Sequence, residues 1–131
     1  MRVSPILAAL FLALSCAHAE TLHDLAGNWR LERLSGAADF DRTKTRLQIA
    51  ADGAVSTTVG CNRASGKARI EGDKVSFGHL AATRMACPPE LAGLEFKYFA
   101  ALEAARSLRL EDSLLALLNE RGEEIAAFIR Q

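Results

Sequence analysis

Cys61, His79 and Cys87 are the residues of this chain whose types could do chemistry together. They would supply either a zinc site or a cysteine nucleophile with a histidine base. Zinc sites show close ligand pairs such as C-x2-C, and neither cysteine has such a neighbour. A nucleophilic cysteine needs a base beside it, and His79 is the one available. His23 lies near the expected start of the mature chain, where termini are usually loosely ordered. The carboxylates are spread singly through loops and turns, and their spacing pairs no two of them as acid and base. H-E-x-x-H, G-x-S-x-G, P-loop and G-x-G-x-x-G patterns do not occur. The residues therefore assign no catalytic group, no metal ligand and no cofactor.

The compartment bears on what the two cysteines do. Residues 1–19 read as a secretory signal peptide, with Arg2 at the start, an apolar run from Ile6 to Leu14, and the small-residue site Ala17-His18-Ala19. Cleavage after Ala19 leaves residues 20–131 as one domain. Ala13-Leu14-Ser15-Cys16 loosely follows a lipobox, so a lipoprotein anchored through Cys16 is the alternative. The apolar run is about half of the roughly 20 residues that a membrane span needs, so the mature chain is expected to have no transmembrane segment. A periplasmic or secreted chain with two cysteines normally oxidises them, which makes a Cys61–Cys87 disulfide the expected state. Free buried thiols, and the metal or nucleophile roles, remain as alternatives.

Composition narrows the partner. The chain has 131 residues, with 16 Lys and Arg against 16 Asp and Glu. That balance argues against nucleic acid, whose binders carry a basic excess or a basic face. Half of the residues are hydrophobic, enough to build a single core. Composition goes no further than that exclusion.

The elements that must position these residues are short. Leu25 to Leu34 alternates around Trp29, Leu31 and Leu34 and reads as a first strand with Trp29 inward. Leu47–Ile49 and Val55–Val59 alternate on either side of Asp52-Gly53, which makes a β-hairpin. Lys67–Glu71 and Lys74–Phe77 repeat the pattern around Gly72-Asp73. Pro88-Pro89 opens a helix whose Leu91, Leu94, Tyr98, Leu102 and Ala105 share one face, with Phe96 off that stripe. Leu108–Glu111, Leu114–Leu118 and Ile125–Ile129 close the chain as strands. The expected fold is α+β: an antiparallel sheet of about eight short strands, curled as a partial barrel around a single helix.

Asn62-Arg63 and Thr83-Arg84-Met85 stand beside the cysteines in expected turns, where polar residues either cap the backbone or form a recognition surface. Both readings are open. Gly60-Cys61-Asn62-Arg63-Ala64-Ser65-Gly66 resembles the G-C-N-x-x-S-G signature of META (HslJ-like) domains. Ala82-Thr83-Arg84-Met85-Ala86-Cys87 resembles their second signature, T-x-M-A-C. Phe77-Gly78 with Leu80-Ala81 fits the lead-in to that motif, and Trp29 after Leu25-Ala26-Gly27 fits the opening strand. The resemblance spans nearly all of residues 20–131 and implies a small exported or envelope-associated domain. Such domains are linked to stress tolerance, motility or virulence without an agreed chemistry. The chain departs from the pattern at Ala64 and Ala68, where the family often has aromatics, so a contact surface built from those aromatics would be lost here. Glycine at positions 60 and 66 permits the backbone angles of a sharp loop, and Asn62 can bond its own backbone to hold it. The motif then reads as a corner pinned by a cystine.

The expected function is that of an exported, non-enzymatic envelope domain, a binding or stress-protective module of the heat- or antibiotic-tolerance type. Its candidate interaction patch is Asn62, Arg63, Gly66, Thr83, Arg84 and Met85. Two arginines and a flexible thioether on one surface suit an anionic or mixed partner. With the resemblance, the expected partner is an envelope protein or another envelope component, met by a monomer. Two alternatives stand beside it. One is an inhibitor of a secreted hydrolase presenting Phe40 from the loop Gly36–Lys44. The other is a small-ligand binder with a cavity inside the curled sheet.

Overall fold

The computed structural model describes residues 22–131. The signal-peptide reading of residues 1–19, and with it Cys16, lies outside them. Ten antiparallel strands form one sheet: β1 (Gly27–Leu34), β2 (Arg46–Ile49), β3 (Ala54–Thr58), β4 (Arg63–Lys67), β5 (Arg69–Glu71), β6 (Lys74–Ser76), β7 (Ala81–Ala82), β8 (Ser107–Glu111), β9 (Leu114–Leu118) and β10 (Glu124–Arg130). Their order across the sheet is β5-β6-β8-β9-β10-β1-β2-β3-β4-β7. The sheet curls as a half-barrel around one main helix, α1 (Pro89–Ala104). The α+β class is as expected, and two strands were not: β4 and β7. Arg63-Ala64-Ser65-Gly66-Lys67 has poor strand formers and one inward side chain, so its pairing with β3 makes the strand rather than its composition. β7 is two alanines held against Ala64 and Ser65.

Trp29, Leu31 and Leu34 all point into the core although a strict two-residue period would turn Leu34 outward. A register shift against β10 between Leu31 and Arg33 supplies the extra residue, as a β-bulge does. At that bulge the Arg33 guanidinium donates through Nε and Nη2 to Glu124, at 3.0 and 2.9 Å. This hydrogen bonding holds the Glu124 carboxyl below its usual range. The pair is exposed, so it contributes well under 1 kcal/mol.

Proline at the first helical position starts α1, as its fixed φ and missing N–H allow. Tyr98 and Leu102 are buried against the concave side of the sheet, and Phe96 is 77% exposed on the other side of the helix. The Tyr98 ring meets Phe128 of β10 edge-on at 6.3 Å. Its hydroxyl lies 2.6 Å from Thr57 Oγ1 of β3, which itself donates to the Arg46 carbonyl at 2.7 Å. Tyr98 is therefore the donor of the pair, and burial pushes its ionisation above the usual tyrosine range. This one hydroxyl ties the helix to the β2–β3 hairpin. Tyr98→Phe is expected to lose about 1 kcal/mol, the net worth of one buried hydrogen bond. Urea unfolding measures it, and an unchanged midpoint would mean that packing alone seats the helix.

The two ends of the domain meet under the barrel. Trp29 Nε1 donates to the Leu25 carbonyl at 2.9 Å, and the Arg130 guanidinium lies 4.3 Å over the Trp29 ring. Arg130 also donates to the carbonyls of Ala26 and Asp24. Leu25, read as part of the first strand, sits instead in a helical turn over residues 22–25. Trp29 and Arg130 satisfy the carbonyls of Asp24, Leu25 and Ala26 at the end of this turn.

Candidate functional site

The two signature segments come together at one end of the half-barrel. Cys61 and Cys87 are joined as a disulfide, with Cα atoms 6.1 Å apart. Neither sulfur is then free as a thiolate nucleophile or a zinc ligand. His79 is exposed on the segment before β7. Among the described residues no three His, Cys, Asp or Glu side chains gather as a metal site.

Asn62 is the centre of the arrangement, and it is buried. Its side-chain oxygen accepts from the Met85 N–H at 2.7 Å and from the Thr83 hydroxyl at 2.9 Å. Its amide nitrogen donates to Glu95 Oε2 at 2.8 Å and to the Met85 carbonyl at 3.3 Å. Its backbone N–H donates to Glu95 Oε1 at 2.8 Å, and its carbonyl accepts from the Thr58 hydroxyl at 2.8 Å. Thr83 Oγ1 accepts in turn from the Arg63 N–H at 3.1 Å. Asn62 thus joins β3, the 83–87 segment and α1, where an Asx turn was expected to bond its own backbone. The reason is distance in sequence: its side-chain partners lie 21 to 33 residues away, at positions that the disulfide and the helix bring back to it.

The glycines of the first signature divide. Gly60 has φ +127°, a conformation that side chains rarely adopt, and a Cβ there would also crowd Lys44 Cβ at 3.3 Å. It serves the backbone as expected. Gly66 does not have a positive φ; a Cβ there would meet Leu80 Cδ2 at 2.7 Å. Its role is close approach of the 79–80 segment over β4, which corrects the expectation of a special backbone angle. Ala64 and Ala68 are both buried. The two positions of departure from the family's aromatics are thus inward-facing in this chain.

The remaining members of the expected patch face solvent. Arg63 and Arg84 are exposed, and Met85 is 59% exposed. Thr83 spends its hydroxyl on Asn62 and Arg63, so it belongs with Asn62 and Gly66 in the frame. Glu95 is the residue that sequence reasoning missed. It is one of many scattered carboxylates, and no local pattern marks the one that turns toward Asn62. Phe96, set off the apolar stripe, did carry a signal: an aromatic on the wet side of an amphipathic helix.

No curated protein sequence matches the chain. Among solved structures, the NMR structure of a protein from Burkholderia xenovorans superposes with a TM-score of 0.66 at 21% identity, covering 98% of this chain and 99% of that one. A DUF4847 family protein from Bacteroides vulgatus superposes with a TM-score of 0.61 at 14% identity, over 81% of this chain and 93% of its own. These likenesses share the fold. Both signatures and the fold that joins them lie within residues 20–131, the span that matches the META domain, and the chain belongs to the META domain family.

Proposed function

We propose that this domain is a non-enzymatic binding module of the bacterial envelope, exported by its leader, with a partner surface made by Arg63, Arg84, Met85 and Phe96. One observation carries the reading. Met85 and Phe96 are the two large apolar side chains that stand exposed among the described residues, Met85 on the 83–87 segment and Phe96 on the helix that carries Glu95. Met85 gives its backbone N–H and carbonyl to Asn62, and Phe96 follows Glu95, which binds Asn62 from the helix. Apolar side chains and arginines on a rigid corner have the composition of an interaction hot spot. The disulfide fits an oxidising compartment, and among the described residues it leaves no free thiol. Stress protection at the envelope is the role the family resemblance adds.

The rival readings have less to stand on. Phe40 is half-buried against the core with the Arg42 guanidinium 4.4 Å over its ring, so it does not protrude as an inhibitor loop would require. The concave side of the sheet is occupied by Trp29, Tyr98, Leu102 and Phe128, all fully buried.

Co-purification of the protein from envelope extract, with its partner identified, is the test. Arg84→Ala combined with Met85→Ser should leave stability within about 0.5 kcal/mol, as exposed substitutions do. It should lose the partner, and the loss should deepen at low salt, where the arginine contact is least screened. A folded double variant that keeps every wild-type partner would sink the reading.

A further inference from the structure

The convex face of β1–β4 carries a second feature, which meets the corner at Arg63. Register pairs Arg46 of β2 with Thr58 of β3, and Thr58 with Arg63 of β4. Arg30 of β1, which lines the same cleft as Arg46, extends this row. A parallel row runs Asn28, Gln48, Ser56, Ser65 across the same strands. Two adjoining open clefts lie on these rows. One, of about 260 Å³, is lined by Lys44, Arg46 and Arg63 together with Thr43, Gln48, Ser56 and Thr58. The other, of about 560 Å³, shares Thr43, Arg46 and Gln48 and adds Asn28, Arg30 and the last residue, Gln131.

Neither cleft is lined by an Asp or Glu side chain. Glu32, farther along β1, stands 3.9 Å from Arg30 and 3.8 Å from Arg42. Lys44, Arg46 and Arg63 have no ion pair among the described residues. In a chain of zero net charge this is a local excess of cations, spread along a row rather than gathered at one point. Strands about 4.8 Å apart make the row from β1 to β4 about 14 Å long. Guanidinium groups suit carboxylate, sulfate or phosphate, and the interleaved amides and hydroxyls suit sugar hydroxyls. Trp29 is fully buried, so the face offers no aromatic platform on which bare bases could stack. It offers no apolar wedge for a lipid surface either.

We propose that the outer face of β1–β4 binds an acidic polysaccharide, whose anionic groups engage Arg30, Lys44, Arg46 and Arg63 in turn while Asn28, Gln48 and Ser56 hold its hydroxyls. The row shares Arg63 with the Cys61–Cys87 corner but none of Arg84, Met85 or Phe96, so Arg46 variants and the Arg84 and Met85 variants test the two surfaces separately.

The probe is an oligogalacturonate, titrated into the purified protein at low salt by calorimetry, with amide shifts of residues 46–48 and 56–58 followed by NMR. The oligogalacturonate should bind at these amides, bind more weakly as salt rises, and leave neutral dextran of the same length without effect. Arg46→Glu should weaken binding by roughly tenfold or more, and Arg46→Gln, which adds no repelling charge, by less. Arg84→Ala combined with Met85→Ser should change nothing. No binding at low salt, or binding indifferent to both Arg46 variants while they stay folded, would overturn the proposal. Tighter binding of duplex or single-stranded DNA of equal charge would also overturn it, and would make the face a nucleic-acid surface.

Discussion

Reducing the Cys61–Cys87 bridge is expected to cost about 3.5 kcal/mol of stability, by the chain-entropy relation for a loop of this size. That is a large part of the 5–15 kcal/mol that typically holds a domain together. A domain of this length should lose roughly 10–20 °C in melting temperature. The loop closed by the bridge explains why it matters here. It encloses β4 to β7, and β5, β6 and β7 have three, three and two residues. Strands this short do not persist as isolated hairpins. β5 and β7 are also the two edges of the sheet, each with pairing on one side alone. The bridge returns the 83–87 segment to the start of β4 and so holds the β7 edge in place. Calorimetry of the oxidised protein and of a Cys61→Ser, Cys87→Ser double variant reads the effect directly. Hydrogen exchange should show the amides of β7 and of residues 83–87 loosening before those of β1, β9 and β10. Equal melting temperatures for the two proteins, or two titratable thiols in the oxidised one, would refute the structural role.

The hairpin strands were legible because alternation and turn chemistry agreed: Leu47 and Ile49 against Val55 and Thr57 around Gly53 leave one register that buries all four. The helix was legible from Pro89 and the spacing of Tyr98 and Leu102. β4 was not, because its one inward residue is Ala64 and its pairing is dictated by β3 from across the turn. The corner divides in the same way. Its cysteines, Asn62 and the exposed arginines could be named from the sequence, since signatures concentrate residue types. What Asn62 does could not, because all its side-chain partners come from segments 21 or more residues away. The cationic row on the convex face was hidden for a related reason. Arg30 and Arg63 lie 14 or more residues from Lys44 and Arg46 in the chain, and they come beside them only when β1 to β4 are laid side by side.

Asn62 sets the second large expectation, because replacing it should damage the fold more than its size suggests. Asn62→Ala removes acceptors from the Met85 N–H and the Thr83 hydroxyl and removes a donor from the Glu95 carboxylate. Neutral hydrogen bonds are worth about 1 kcal/mol each and one to a charged group about 1.5–3 kcal/mol, so the loss should reach about 3 kcal/mol or more. Asn62→Asp has nearly the same shape and keeps both acceptors. It nevertheless sets a carboxylate oxygen where the amide now meets Glu95 Oε2 at 2.8 Å, in a buried place where like charges repel strongly. At neutral pH the isosteric change should therefore be at least as destabilising as truncation. Adding Glu95→Gln to Asn62→Asp restores a donor–acceptor pair with the roles exchanged, and stability should partly return. A double-mutant cycle in urea measures this, with a coupling well above the 0.5 kcal/mol expected of independent sites. If Asn62→Ala costs less than 1 kcal/mol, or if Glu95→Gln leaves the Asn62→Asp variant as unstable as before, then the bonds do not carry the corner. In that outcome the disulfide alone would hold the loop, and the arginines and Met85 would sit on a softer surface than a hot spot requires.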